Sequence, residues 1–381
     1  MRSKKISLVA TTIGDGKFLD IYSTNIKNEG LIENVSLIII PDKKTPKELY
    51  DKVSNIKKKG YDVQCPNVEE QDKYLKRLGM ISKIIPYNSD NRLNIGYLMA
   101  YEQNCDILVS VDDDNNPSTK TGFFHEHLDA LIDNNVSKLK SVSSSNNWYN
   151  ICEELKINQP TIFARGYPYY ARVGKSKIVT KPNIQKVAIN AGLWLEDPDV
   201  DAMTWLSCPP KVSSFSGKSY TIAKDTWSPI NTQNTSLIYE VIPAYYFVKM
   251  GYPIKGSSID RYGDIFSGFF ALKCAKHLGM TARFGSPVVN HIRNSHNYMK
   301  DVQAEMMCIQ ILEHFLPELG NVKLTGSNFT ETYVSLSYAI DEISEKMEIC
   351  KREKDYLNFF HETAYNMRVW IKAIKKINSQ D

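Results

Sequence analysis

Short apolar runs alternate with longer amphipathic segments along the first third of the chain. The predicted strands are 6–13, 35–40, 83–86 and 107–111, and the predicted helices are 45–59, 71–78 and 91–100. Strands that alternate with helices indicate βαβ units on a mostly parallel sheet. The pattern therefore predicts an α/β fold for this part of the chain.

One of these predicted strands ends in three consecutive aspartates. The β-branched and aliphatic run Ile107 to Val111 is followed directly by Asp112, Asp113 and Asp114. Open α/β sheets bind ligands beyond the carboxyl ends of their strands, and adjacent carboxylates at such an end repel one another. We therefore expect a divalent cation with oxygen ligands here, Mg²⁺ or Mn²⁺, and phosphates beside it. A solvated acidic turn is the alternative.

The middle of the chain is less regular and richer in aromatic residues and glycine. Near residue 260 a polar turn leads into a helix that ends at Gly279, with Asp264 at its start. An acid is favoured there by free backbone N–H groups and the helix dipole, so a helix N-cap is one possible role for Asp264. Strands near 282–284 and 288–291 and a helix over 298–315 follow.

The tail has the pattern of two amphipathic helices. We predict a catalytic α/β domain over residues 1–325 and a C-terminal helical hairpin over 326–381. The last helix has an apolar face flanked by Arg368, Lys372, Lys375 and Lys376. A basic amphipathic helix can lie in the interface of an anionic membrane, which predicts peripheral membrane contact. Packing on its own domain, or on a second copy to form a homo-oligomer, is the alternative.

Composition indicates an ordinary globular protein and gives no sign of nucleic-acid binding or of disulfide bonds. An apolar content of 42% and a charged content of 24% are ordinary for a globular chain. A formal charge of +4 gives no argument for nucleic-acid binding. The seven cysteines are dispersed without a C-x-x-C pair, which predicts reduced thiols in the cytoplasm. No signal peptide and no membrane-spanning segment are predicted.

A series of short motifs resembles the plant reversibly glycosylated polypeptides, the UDP-arabinopyranose mutases, and the glycosyltransferase family around them. In chain order the motifs are Val111–Asp114, Arg165–Pro168 with Arg172–Gly174, Gly192–Leu195 with Pro198–Asp199 and Asp201–Ala202, Arg261–Asp264, His277–Gly279, and Gly285–Pro287 with His291. They span roughly residues 5 to 310. The resemblance implies a GT-A type nucleotide-diphospho-sugar transferase fold, with a mostly parallel, Rossmann-like sheet. This chain departs from the family at Asn115, where the family has cysteine, and at Gly263, where it has an acid.

The metal ligands are predicted from both the residues and the resemblance. Asp112 and Asp114 point to the same side of the strand tip, because alternate side chains of an extended chain do so. His291 matches the late histidine that completes the metal site in GT-A enzymes. Its alternative is a strand-end histidine whose partners are protein groups. The cation would neutralise the diphosphate and make it a better leaving group.

The remaining site residues are predicted to contact substrate. Asp264 is a candidate general base or ligand of a sugar hydroxyl. Arg172 matches the arginine that carries sugar in the plant proteins, although a protonated guanidinium is a poor nucleophile and a phosphate contact is the physical alternative. The residues predicted to bind nucleotide or sugar are Thr11, Thr12, Arg92, Asp113, Arg165, Trp194 and Arg261. A surface position for Arg92 and a packing role for Trp194 are the alternatives.

These predictions together indicate an enzyme. The leading expectation is a metal-dependent glycosyltransferase that uses a UDP-type sugar donor and a glycan or lipid-linked acceptor, in surface polysaccharide or glycoconjugate synthesis. The first alternative is a nucleotide-sugar pyranose/furanose mutase, which uses the same site without an acceptor. The second is a catalytically silent nucleotide-sugar-binding protein. The predicted location is the cytoplasm, with peripheral contact at the inner face of the membrane.

Overall fold

The computed structural model describes residues 4–80, 83–118, 122–132, 139–174, 176–293 and 297–379. The strands in this part of the chain are β1 (Ile6–Thr12), β2 (Val35–Pro41), β3 (Asp62–Gln64), β4 (Ile107–Val111), β5 (Asn115–Pro117), β6 (Lys140–Ser144), β7 (Leu155–Ile157), β8 (Ile178–Pro182), β9 (Val187–Glu196), β10 (Val212–Phe215), β11 (Tyr220–Ile222), β12 (Asn234–Ile238), β13 (Tyr252–Ile254), β14 (Ser257–Ile259) and β15 (Thr281–His291). The α-helices are α1 (Phe18–Asn28), α2 (Lys47–Lys58), α3 (Val68–Arg77), α4 (Leu93–Glu102), α5 (Phe123–Leu131), α6 (Ala202–Ser207), α7 (Gly263–His277), α8 (Tyr298–Asn321), α9 (Phe329–Lys346), α10 (Glu348–Arg352) and α11 (Lys354–Asn378).

One large sheet organises the fold. Its strand order is β3-β2-β1-β4-β12-β9-β15-β11-β6-β8, and β5, β7 and β10 pair at its sides. β1 is parallel to β2 and β4, and β9 is parallel to β15, whereas β12 is antiparallel to both of its neighbours, β4 and β9. This sheet with helices along the chain, and with C-terminal helices after it, confirms the α/β prediction.

Several elements differ from the predicted ones. α1 is not among the predicted elements, although Leu19, Tyr22 and Ile26 are buried at helical spacing. The strand predicted at 83–86 is wrong, since residues 83–86 form turns and irregular backbone. The two short strands predicted near residues 282 and 288 are a single strand, β15, with a register shift between Gly285 and Val288. The helix that begins at Tyr298 continues to Asn321.

The C-terminal helices share the apolar core of the sheet domain. The face of α11 that includes Phe360, Met367 and Ile374 is buried, and these side chains belong to the same continuous core as β1 and β4. Trp370 is fully buried, and its indole N–H donates to the Pro243 carbonyl at 3.0 Å. The boundary predicted at residue 325 therefore does not coincide with a break in the core.

This packing removes the basis of the predicted membrane contact of the tail. The apolar face assigned to a membrane interface is occupied by the protein's own core, and Arg368 is paired with Asp341 of α9 at 2.8 Å. In the part of the chain that the structure describes, no helix is long and apolar enough to cross a membrane. Self-association through α9 to α11 stays a prediction.

A buried histidine between helix and sheet makes stability depend on pH. His127 of α5 is fully buried, with Nδ1 2.7 Å from Ser236 Oγ and Nε2 3.2 Å from Asn234 Oδ1. Burial lowers the pKa of His127 to about 3, from an ordinary value of 6.5. The unfolded chain therefore takes up a proton at this position near pH 6.5, whereas the folded protein does not.

We expect the free energy of unfolding to fall as the pH decreases from 6.5 towards 3. Above the pKa of histidine in the unfolded chain, the burial of neutral His127 does not reduce the free energy of unfolding. Below that pKa, the free energy of unfolding falls by up to about 1.4 kcal/mol per pH unit, because only the unfolded chain binds the proton. Urea unfolding of wild type and His127→Asn between pH 7 and about pH 4.5 measures this slope, which the variant should reduce. His125→Asn, an exposed histidine on the same helix, should leave the slope unchanged. Equal slopes in wild type and His127→Asn would contradict the assignment.

Candidate functional site

Strand pairing brings the aspartate triplet and His291 to one edge of the sheet. Val111, the last residue of β4, lies opposite Asn234 of β12. The short strand β5, which follows the triplet, pairs antiparallel with the end of β15, so that Asn115 lies opposite His291. Two segments distant in sequence are thereby held together at the carboxyl ends of β4 and β15.

The three aspartates do not point the same way. Asp112 and Asp114 both line a cavity of ≈ 580 Å³ at this edge, as their alternation predicts. Asp113 instead accepts a 2.5 Å hydrogen bond from Thr12 Oγ1. Thr12 and Asp113 therefore satisfy each other, and Thr11 Oγ1 donates to the Ile40 carbonyl at 2.8 Å. These hydroxyls, predicted to contact nucleotide, are used to tie β1 to its neighbours.

We call this space the carboxyl-edge cavity. Its acidic lining residues are Asp90, Asp112, Asp114, Asp199, Asp260, Asp264 and Glu305, and its basic ones are Arg165, Arg261, His291 and Arg293. Seven carboxylates thus face three guanidinium groups and one imidazole among the described lining residues. Burial, followed by the charges of Asp114 and Asp90, raises the pKa of Asp112 well above its usual range. A nucleoside diphosphate would be repelled from so acidic a cavity unless a cation came with it.

The protonation of His291 fits a metal ligand. Its Nδ1 lies 2.6 Å from the Asp197 carbonyl oxygen, which can only accept, so Nδ1 carries the proton. Nε2 then faces Asp114 Oδ2, 3.5 Å away. A backbone carbonyl behind a histidine is the usual support of a metal-binding imidazole.

The donor chemistry therefore fits Mg²⁺ or Mn²⁺, with two carboxylates and one imidazole on one cavity wall. The side chains are not closed around a single point. Within the described ranges, no group of three histidine, cysteine, aspartate or glutamate side chains converges closely enough to hold a metal ion as placed.

A buried guanidinium joins two of the cavity carboxylates. Arg165 Nε donates to Asp199 Oδ1 at 2.7 Å, and its Nη1 and Nη2 donate to Asp264 at 3.1 and 2.5 Å. Nη1 also donates to the Arg261 carbonyl at 2.6 Å. Although burial opposes the charge of Arg165, the two carboxylates raise its pKa well above the ordinary value. The charge of Arg165 is therefore paired within the protein, and its predicted phosphate contact stays a prediction.

The same bonds decide the position of Asp264. It lies in the first turn of α7, but the residue at the N-cap position is Tyr262 and no side chain caps this helix. Both carboxylate oxygens of Asp264 accept from Arg165, so the cap role is excluded in favour of an oriented carboxylate on the cavity wall. Burial raises the pKa of Asp264, and Arg165 acts in the opposite direction.

Two other arginines are better placed for an anionic ligand. Arg261 faces the cavity with its side chain 34% exposed, and is held by Glu305 at 3.1 Å and Asp301 at 3.3 Å. Its φ of 66° is left-handed, so the backbone turns sharply just before α7. Arg293 also lines the cavity and lies 4.9 Å from the centre of the Trp205 ring. Arg293 is not among the predicted site residues. Its position two residues after His291 could have identified it, because alternate side chains of an extended segment point to the same side.

Two predicted substrate contacts lie away from the cavity. Arg92 is fully buried rather than on the surface, and its Nε and Nη2 donate to Gln71 Oε1. Trp194 is 2% exposed near the end of β9, so it packs within the protein and cannot stack on a base or a sugar as placed.

Arg172 lies beside a different cavity. Its Nη2 donates to Asp201 Oδ2 at 2.7 Å and to the Tyr167 carbonyl at 3.0 Å, and its guanidinium lies 3.7 Å from the centre of the Tyr169 ring. Asp201 is fully buried and also caps α6 through the Thr204 N–H. Arg172 is thus joined to a helix cap, and it does not line the carboxyl-edge cavity.

The departure at Gly263 has a steric explanation. A Cβ atom at this position would collide with the Val248 carbonyl oxygen and the Phe247 ring. An acidic side chain at 263 would therefore require the 247–248 segment to move. The close packing of this segment on α7 forms one wall of the cavity through Phe247.

The fold and the site together define an α/β protein with an acidic cavity at the carboxyl edge of its sheet. A sequence model of the family "Reversibly glycosylated polypeptide" matches residues 2–379, and the chain belongs to this family. The match includes the tail, which lies beyond the motifs that carry the resemblance.

Several curated relatives are similar over nearly the whole chain. UDP-arabinopyranose mutase 2 of Arabidopsis thaliana is 24% identical, over 98% of this chain and 92% of the relative. UDP-arabinopyranose mutase 3 of the same plant is 25% identical, over 100% of this chain and 94% of the relative. Among solved structures, glucosyl-3-phosphoglycerate synthase of M. tuberculosis has a TM-score of 0.42 and 11% identity, over 81% of this chain and 80% of that one. Its structure with Mn²⁺ and UDP-glucose has a TM-score of 0.41 and 9% identity, over 81% and 79% of the two chains.

Proposed function

We propose that the protein is a nucleotide-sugar mutase that interconverts the pyranose and furanose rings of a UDP-linked sugar, with UDP-arabinopyranose as the first candidate substrate. The observation that carries the proposal is the whole-length similarity to relatives named UDP-arabinopyranose mutases. The convergence of Asp112, Asp114 and His291 on a cavity of ≈ 580 Å³ supports it, since this volume is in the range of small-ligand sites.

Asp112, Asp114 and His291 would hold Mn²⁺ or Mg²⁺ in this proposal. When bound, the ion supplies positive charge to the diphosphate and makes it a better leaving group. The backbone carbonyl of Asp197 keeps the His291 proton on Nδ1, which leaves Nε2 free as a ligand.

The other cavity residues bind and orient the substrate. Arg261 and Arg293 are the cationic side chains available to phosphate oxygens, and Glu305 holds Arg261 in place. Asp264 faces the sugar. Arg165 donates a hydrogen bond to each oxygen of Asp264 and so fixes the carboxylate. Each oxygen keeps a further lone pair for a sugar hydroxyl.

Transfer to an external glycan or lipid-linked acceptor remains the second candidate function. The chemistry of the cavity suits both reactions, but a mutase needs no acceptor and therefore no membrane contact. A silent binding protein is the third candidate, and the retained carboxylates of the cavity argue against it. The seven free thiols agree with the predicted cytoplasmic location.

One experiment distinguishes the three functions. The protein is incubated with Mn²⁺ and a panel of UDP-sugars that includes UDP-arabinopyranose, and the products are separated by chromatography. A change of ring form without net release of UDP supports the mutase. Release of UDP that depends on an added acceptor supports the transferase. Binding without either product supports the silent protein.

We expect Asp264→Asn to reduce turnover by about 10²-fold or more, while the affinity for UDP changes little. A carboxylate that acts on a reacting hydroxyl typically contributes about 10²–10⁴-fold to the rate. Asparagine keeps the size of the side chain and one acceptor for Arg165. Steady-state kinetics and UDP calorimetry on the same preparation measure the two effects. Normal kcat combined with a lower melting temperature would instead assign Asp264 to structure.

A further inference from the structure

A second, larger cavity lies apart from the proposed active site. Its volume is ≈ 960 Å³, and it shares no lining residue with the carboxyl-edge cavity. It is bounded by the C-terminal ends of α7 and α8, the segment 320–324 and the turn at 224–227. We call it the lysine cavity. The proposed mutase reaction assigns no role to it.

The charge of the lysine cavity is opposite to that of the proposed active site. Among the described residues that line it, four are lysines, Lys224, Lys273, Lys276 and Lys323, and one is a carboxylate, Asp225. A concave surface of one sign concentrates ligands of the opposite sign. The lysine cavity therefore favours an anion and needs no divalent cation to bind it.

The two buried lysines have different roles. Lys276 and Lys273 are each 8% exposed. Lys276 Nζ donates to the carbonyl oxygens of Ala223, Lys224 and Thr226 at 2.9, 2.7 and 2.7 Å, which uses all three of its N–H groups. Lys276 thus holds the 224–227 turn in place.

Lys273 is only partly satisfied. Its Nζ donates to the Gly320 carbonyl at 3.0 Å, and within the described residues no second acceptor is found for its ammonium group. Burial of a charged group is costly unless its hydrogen bonds are made. Two N–H groups of Lys273 are therefore available to an anion in the cavity.

Aromatic and amide side chains surround these cations. The indole of Trp227 is partly exposed, and the Nζ atoms of Lys273 and Lys276 lie 6.0 and 5.3 Å from its ring centre. Tyr170 is 43% exposed, and the side chains of Asn147 and Asn321 complete the wall. The C–H face of a sugar ring packs on aromatic rings, and side-chain amides both donate to and accept from its hydroxyls.

We propose that the lysine cavity binds an anionic saccharide, a sugar ring that carries a phosphate or a carboxylate. The anion binds at Lys273, and the ring packs against Trp227 and Tyr170. Such a ligand combines the free N–H groups of Lys273 with the aromatic and amide side chains of this wall. Neither an unsubstituted sugar nor a bare anion does so.

The test is a titration of the full-length protein with glucose 1-phosphate in the presence of EDTA, followed by calorimetry and by tryptophan fluorescence. We expect saturable binding that is about 10-fold tighter than that of glucose or of inorganic phosphate. Glucuronate, titrated in parallel, distinguishes a carboxylate from a phosphate as the preferred anion. Lys273→Met should weaken the binding of glucose 1-phosphate by about 10-fold, because a hydrogen-bonded charge is lost.

Two further variants keep the result decisive if Lys273→Met folds poorly. Tyr170→Ala removes an exposed ring and should also weaken binding, whereas Asp114→Asn in the carboxyl-edge cavity should not change it. Three results would overturn the proposal. They are the absence of saturable binding, binding of inorganic phosphate as tight as that of glucose 1-phosphate, and binding that Asp114→Asn abolishes but Lys273→Met and Tyr170→Ala leave intact.

Discussion

Asp114→Asn is expected to reduce turnover by at least about 10³-fold and to abolish the metal-dependent part of UDP binding. Asp114 lines the carboxyl-edge cavity with one oxygen 3.5 Å from Nε2 of His291. Asparagine removes the charge that would hold the cation between them. A metal ion contributes several kcal/mol of charge stabilisation, and each 1.4 kcal/mol corresponds to a factor of ten in rate. Calorimetry with UDP and Mn²⁺, with and without EDTA, measures the binding.

The neighbouring aspartate provides a matched control. Asp113 belongs to the same triplet, but it accepts from Thr12 Oγ1 rather than lining the cavity. Asp113→Asn keeps an oxygen for that hydroxyl, so we expect it to retain metal-dependent binding and most of the turnover. If wild type binds UDP equally well with and without EDTA, the metal assignment is wrong. If the two variants lose activity equally, the distinction between the two side chains is wrong.

Arg165→Met is expected to lower the free energy of unfolding by about 3–5 kcal/mol. The substitution leaves Asp199 and Asp264 without the guanidinium that pairs with both, and the side chains of all three residues are less than one-tenth exposed. Removal of one partner from a buried ion pair costs about this much, because the remaining charge is left without compensation. Urea denaturation monitored by circular dichroism at pH 7 measures the change.

A surface ion pair gives the comparison for Arg165. Arg77 and Glu102 are 2.7 Å apart with side chains 38% and 34% exposed, so Arg77→Met should change the free energy of unfolding by less than about 1 kcal/mol. The triple variant Arg165→Met, Asp199→Asn, Asp264→Asn should recover part of the stability lost in Arg165→Met, because it removes the two unpaired charges. A loss in Arg165→Met no larger than that in Arg77→Met would show that the network is solvated.

Local pattern was sufficient for the fold class and for the centre of the site. The buried strand Ile107 to Val111 followed by acids predicts a strand end at the ligand-binding edge, and Asp112 and Asp114 do line one cavity there. Asp113, which was predicted to bind nucleotide or sugar, instead accepts the hydrogen bond from Thr12. The prediction for Asp112 and Asp114 depends only on neighbours in sequence, because side chains of an extended segment alternate with a period of two residues.

The tertiary structure decided which of the charged and aromatic residues remain free for a ligand. Arg165, Arg172 and Arg92 all have the chemistry of a phosphate contact, but each is engaged by a partner distant in sequence, namely Asp264, Asp201 and Gln71. The apolar face of α11 likewise could meet a membrane, a second copy or its own domain, and only the packing shows that it lies in the core. The amphipathic pattern and the charge of a segment indicate what it can bind. Its actual partner depends on distances between residues that the chain brings together only when it folds.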